Sequence, residues 1–345
     1  MIMVAVLHVV GLGGVLSALE SSPIWYNIVW LIRVAAYCAV DCYALISGYV
    51  GVFAKHKYSN YIVLWLNVAF YSIGITLISK IVVPDEVGMN KIISSFFPVF
   101  TNEYWYFTSY TVLFLFIPLL NQCLISLSKR KLQVFLVLIV IAFSVLLPIA
   151  GNFGGDFSLN GGYSPWWLIV LYLLGGYIRK YGFFKKVRKR ILLLLFFGSV
   201  LLSFLSSIII PKFTETINSR SFVTYNSITV LASAVTLLLF FSRVSTNKFV
   251  SKIAVLITPL TFSVYIIHLH PVILENIITD KFRWIADLPI IVVIPAILGC
   301  ALVVFIACSC IDLIRYYLFK GLKVKKRLED IEEKFKNKLK TVKKD

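Results

Sequence analysis

KRKLQVFLVLIVIAFSVLLPIA, residues 129–150, opens on three basic residues and then runs from Leu132 to Ala150 without a charge. A helix needs about 20 apolar residues to cross the roughly 30 Å of hydrocarbon in a bilayer. The run fills that length. Its polarity does not alternate, which excludes a strand of a membrane barrel. The basic triplet marks the end held on the cytoplasmic side, where Lys and Arg collect.

The same reading extends in both directions. Apolar runs of spanning character lie near residues 1–18, 25–50, 59–82, 104–125, 132–150, 164–178, 191–210, 222–242, 253–277 and 287–314. Of the 345 residues, 59% are hydrophobic and 14% charged, and the mean hydropathy is +0.89. A soluble domain is about half apolar and about a quarter charged, so this surplus must face lipid. The expected fold is all-α, a polytopic membrane bundle of about ten helices.

With the N-terminus inside, the alternate loops on the cytoplasmic side hold 27 of the 34 Lys and Arg residues, the outer side holds six, and Arg33 lies within a span. That asymmetry predicts a multi-pass protein of the cell membrane with both termini in the cytoplasm. The net charge of +18 is thereby explained by topology. No nucleic-acid-binding motif accompanies it, so nucleic acid is not an expected partner. A cleaved signal peptide is disfavoured for the first run, which lacks a basic lead and carries His8 in its middle.

After Arg315 the composition turns Lys-rich, dividing the chain into a transmembrane domain over 1–315 and a basic cytoplasmic tail over 316–345. Leu322, Leu328, Ile331, Phe335 and Leu339 recur at roughly helical spacing. The tail reads either as an amphipathic helix against anionic lipid or as a solvated end. All six cysteines, Cys38, Cys42, Cys123, Cys300, Cys308 and Cys310, fall in apolar runs without CxxC spacing, which marks them as small buried side chains. Neither a metal nor a bound cofactor is expected.

Five stretches in order resemble the membrane acyltransferase-3 family, the bacterial enzymes that O-acylate sugars of surface polysaccharides. They are MVAVLHVVGLGGVL (3–16), VDCYALISGYV (40–50), FPVFTNEYWYFTSYTVLFLFIPLLN (97–121), GGYSPWWLIVLYLLGGYIRKYG (161–182) and TFSVYIIHLHPVI (261–273). The resemblance implies acyl transfer from acetyl-CoA to a sugar hydroxyl of a polysaccharide or lipid-linked precursor. The family carries an Arg ahead of the first-span His. Residues 1–7 hold none, so that basic role lies upstream or passes to another residue.

Ionisable residues inside a bilayer are expensive and are functional candidates by default. His8 is the first: acyl transfer needs a base for the hydroxyl proton, and imidazole titrates near working pH. The residues alone leave packing as an equal alternative; the resemblance favours His8 as the base. Asp41 and Arg33 lie eight apart on roughly one face of the second span. Asp41 could orient His8 as carboxylates do in hydrolase triads, or pair with Arg33 structurally. Arg33 itself is a candidate for substrate binding, with a structural role favoured. Ser47, in ISGY, is either a nucleophile-like contact or a small packing residue, and packing is favoured.

Glu103, Tyr104 and Trp105, beside Asn102 and Tyr106, suit a sugar platform or an interfacial aromatic belt; Trp166 and Trp167 pose the same choice. His268 matches the family's YxIH position and is a candidate for substrate contact. His270, two residues on, points elsewhere on a helix and reads as interfacial. On the cytoplasmic side Lys55, Lys57, Arg130 and Arg179 are candidates for acyl-CoA phosphates, although topology alone accounts for such charge. The competing function is a transporter or flippase for a lipid-linked sugar, which would move the sugar unmodified.

Overall fold

The computed structural model describes residues 1–151, 159–182, 184, 186–213 and 222–342. Within them every regular element is helical. The chain runs through α1 (Ile2–Val10), α2 (Pro23–Gly51), α3 (Tyr58–Val82), α4 (Met89–Phe96), α5 (Trp105–Ser126) and α6 (Lys129–Ala150). It continues through α7 (Pro165–Tyr181), α8 (Lys189–Ile209), α9 (Ile228–Phe241), α10 (Lys248–Ile257), α11 (Thr261–His268), α12 (Ile290–Gly321) and α13 (Val324–Val342).

Local sequence sets these limits. Pro23 and Pro165 start α2 and α7, where a missing N–H costs nothing. Ser164 caps α7 by accepting from the Trp166 amide at 3.3 Å, and Asn247 caps α10 from Val250 at 2.8 Å. Gly182, at φ 63°, ends α7 in the left-handed conformation that glycine tolerates. Pro259 lies in the tight turn Thr258–Leu260 that joins α10 to α11 within one span.

Among the described residues seven helices are long and apolar enough to cross a membrane, the last of them running to Gly321. Two shorter apolar stretches among the described residues, α1 with its following turn and α9, accompany them, beside the largely buried 17-residue α7. Only 17% of α6 and of α8 is buried within the protein. Their exposed faces carry Val134, Val137, Leu138, Leu194, Phe197 and Leu202, apolar surface that lipid must cover. The chain is thus a polytopic helical membrane protein.

The closest helix pairing is α2 with α7. It depends on two glycines: a Cβ on Gly48 would stand 1.9 Å from the Tyr172 carbonyl oxygen, and one on Gly175 2.0 Å from that of Leu45. Small residues let helix backbones approach in membranes. Three apolar cores result, one around α2, α5, α7 and α9, one around α1, α2 and α12, and one around α3, α5, α11 and α12.

Two features differ from the sequence reading. The boundary at residue 315 falls inside α12, because Arg315 is buried and paired with Asp312 at 2.6 Å. Tyr71 Oη completes that pair by donating to Asp312 at 2.7 Å. The tail helix α13 is also held by protein. Glu332 accepts from the Ser59 amide at 2.9 Å and the Tyr58 amide at 3.3 Å, and Glu329 meets Lys57 at 2.9 Å. Burial pushes the Glu332 carboxyl up, but bonds from Lys336 and these amides outweigh it and hold it at about 2. Ile331 and Phe335 stay exposed.

Candidate active site

The three cores meet at a cavity of about 180 Å³. Its wall takes His8 from α1, Val40 and Tyr43 from α2, Trp105 and Tyr106 from α5, Tyr225 ahead of α9, and Phe262 and Tyr265 from α11. Aromatic contacts fix the wall. Trp105 stacks on Tyr225 at 5.8 Å between ring centroids, with Tyr163 against both. The Tyr265 hydroxyl accepts from the Tyr106 amide at 3.2 Å, satisfying one of the first amides of α5.

His8 is half-buried and borders this cavity. Its Nδ1 lies 2.8 Å from Nε2 of His268, a residue 1% exposed on α11. Nδ1 of His268 bonds the carbonyl of Val264 one turn back. Among the described residues His8 Nε2 has no protein partner.

Asp41 does not orient His8. The hydrogen bond at His8 Nδ1 belongs to His268, and Asp41 Oδ1 instead accepts from Trp167 Nε1 at 3.1 Å, deep between α2 and α7. Their partners lie on α11 and α7, which the one-dimensional spacing could not reveal. Asp41 is fully buried and its Oδ2 is unpartnered. Arg33 forms no ion pair with Asp41; its guanidinium packs over Trp30 and Tyr37 at 5.6 and 5.8 Å. It also covers Gly11, where a Cβ would come within 2.8 Å of Nη2, and stands within electrostatic reach of His8. Ser47 donates to the Tyr43 carbonyl of its own helix at 2.9 Å, away from any base.

The aromatic segment divides. Tyr104 is 1% exposed, buried against Tyr265, and so is no part of an interfacial belt. Trp167 is buried while Trp166 is exposed. Glu103 turns the other way from Trp105, into a polar pocket of about 300 Å³ with Thr76, Asn90, Lys91, Ser94 and Thr101. Ser72 Oγ donates to Glu103 at 3.0 Å. Burial pushes the Glu103 carboxyl up, with that hydroxyl opposing.

His270 is buried rather than interfacial. Its Nδ1 accepts from the Val272 amide, and its Nε2 meets the Ser72 carbonyl at 3.2 Å and Thr76 Oγ1 at 3.1 Å. Of the basic candidates, Lys57 is tied to Glu329 and Arg179 lies over Tyr49, 5.1 Å from its ring. Lys55 and Arg130 are exposed. Sequence reasoning missed the His8–His268 contact, whose partners lie 260 residues apart; the only signal was two imidazoles in apolar runs. Among the described residues no three His, Cys, Asp or Glu side chains are grouped to hold a metal ion.

The described residues thus form a helical membrane bundle with a histidine-edged cavity where its cores meet. This chain belongs to the acyltransferase-3 family: the family model of its acyltransferase domain matches residues 1–312. Comparison with curated proteins and with solved structures gave no match. Family membership makes the chain a membrane acyltransferase.

Proposed function

We propose that the protein is an O-acetyltransferase that uses cytoplasmic acetyl-CoA to acetylate a hydroxyl of a surface polysaccharide or of its lipid-linked precursor. The observation that carries this reading is His8, its Nε2 without a protein partner, at the edge of an aromatic cavity inside the bundle. In the step, the sugar oxygen attacks the thioester carbonyl carbon. The C–O bond forms, the C–S bond breaks, and the hydroxyl proton passes to His8 Nε2. That proton then goes to the departing CoA sulfur. Arg33, whose charge acts on His8, is our candidate for offsetting the charge that develops on the carbonyl oxygen. Trp105 supplies a flat apolar face for a sugar ring in the cavity that His8 borders.

Ten crossings, with both termini cytoplasmic, complete the proposal. The seven long helices are joined by α1 with its turn, α7 and α9. At 14 residues α9 spans only about 21 Å. The preceding Val223, Tyr225, Asn226 and Ser227 are buried in protein, where non-helical backbone is tolerated at membrane depth.

The test is radiolabelled acetyl-CoA given to inverted vesicles containing the protein and its glycan acceptor. Labelled glycan is expected, and His8→Ala should lower its rate by roughly a hundred- to ten-thousandfold at unchanged abundance. Glycan that crosses the membrane without label would support the flippase instead.

A further inference from the structure

We propose that His268 is a positioning residue that sets the tautomer and aim of His8, keeping the basic lone pair on Nε2. This rests on the reading of His8 as the base. The starting point is a backbone carbonyl, which can only accept a hydrogen bond. Because His268 Nδ1 bonds the Val264 carbonyl, Nδ1 is the nitrogen that carries the hydrogen. In a neutral ring the other nitrogen, Nε2, is then a bare acceptor. His8 Nδ1 lies 2.8 Å from it, so His8 Nδ1 carries the hydrogen and donates. The remaining nitrogen of His8, Nε2, is left with its lone pair.

Both rings are neutral in this arrangement. No carboxylate bonds either ring among the described residues, and Arg33 stands within electrostatic reach of His8. An imidazolium here would be a cation without a carboxylate partner inside the bilayer, which is expensive.

His268 suits the task because it cannot easily move. It is 1% exposed, its ring is tied to its own helix, and its neighbours Val264, Tyr265, Ile266 and Ile267 are all buried. The imidazole therefore acts at one remove from the reacting atoms. It accepts a hydrogen bond as the carboxylate of a hydrolase triad does, without carrying a charge into the bilayer.

Two measurements test this on the full chain in bilayers. Nitrogen NMR of protein with ring-labelled histidine, with the His8 signals assigned by their loss in His8→Ala, distinguishes protonated from bare nitrogens. A protonated Nδ1 and bare Nε2 on His8 are expected, with the two forms mixing in His268→Leu. A protonated Nε2 on His8 in the parental protein would overturn the proposal, whether or not the protein transfers acetyl groups.

The second measurement is steady-state acetyl transfer. His268→Leu, which removes the acceptor, should lower kcat by about tenfold or more, up to the roughly hundred- to ten-thousandfold that a general base contributes, and leave KM unchanged. His268→Gln, whose side-chain oxygen can accept from His8, should recover most of kcat. Unchanged kcat in His268→Leu, a loss confined to KM, or a His268→Gln protein that folds yet is no better than His268→Leu would each refute it. A parental protein that shows the expected tautomer but transfers no acetyl group would refute the acetyltransferase reading and leave the positioning role standing.

Discussion

Replacing Gly48 by Ala is the most direct test of how the site is held. The added Cβ would stand 1.9 Å from the Tyr172 carbonyl oxygen, where ordinary contact begins at 3.4 Å. The obstacle is backbone, so no side chain can rotate away, and α2 and α7 must part locally by about 1.5 Å. A gap of 0.5–1 Å already forfeits roughly a quarter to a half of the dispersion well. Overpacking of this kind costs about 1–3 kcal/mol, against which alanine returns up to about 1 kcal/mol of helix propensity. At roughly 2–4 °C per kcal/mol, melting in detergent should fall by several degrees. Tyr43 and Val40, about one and two turns earlier on α2, line the cavity, so activity should fall with it. Gly198 is the control, since nothing lies within 4 Å of a Cβ placed there. Gly198→Ala should melt at or slightly above the parental temperature. If Gly48→Ala melted with Gly198→Ala, the close crossing of α2 and α7 would be wrong.

Ser47→Ala should keep acetyl transfer near the parental rate, because Ser47 Oγ bonds only its own helix; loss of transfer at normal abundance would restore it as a site residue. Arg315→Leu leaves Asp312 buried without its cation, a change that costs about 3–5 kcal/mol and should show as lost abundance. The double replacement Asp312→Leu with Arg315→Leu should recover much of it. Glu332, held at about 2 against an ordinary 4.5, stabilises the tail contact fully above the ordinary value and loses it as pH falls toward 2. Protection of the α13 amides against hydrogen exchange, taken relative to the intrinsic rate at each pH, should therefore be high at neutral pH, fall below about pH 4, and be low at every pH in Glu332→Gln.

The membrane character was legible because two independent signals, apolar length and the one-sided distribution of Lys and Arg, agree segment by segment. Which residues meet across the bundle was not. Periodicity gives the face of a helix but not the helix it faces, so His8 was visible as a candidate while His268 was assigned to substrate rather than to His8. The same blindness left Asp41 between His8 and Arg33 when its partner is Trp167, and left Tyr104 between a sugar platform and a lipid belt when it is buried against Tyr265. Asp312 and Arg315, three apart on α12, could have been read as an ion pair. They were missed because Arg315 was taken as the first cytoplasmic residue.

What separates these buried polar groups is whether their hydrogen-bonding valences are closed. Asp312 is met by both Arg315 and Tyr71, and His270 is bonded at both ring nitrogens, which is what a structural role requires. His8 Nε2 is left without a protein partner at a cavity, and Asp41 Oδ2 and Arg33 Nε are unpartnered though buried. Leaving such groups unmatched costs stability that a packing role alone would not explain. All three trace to α1 and α2, the segment in which the sequence already placed ionisable residues within apolar runs.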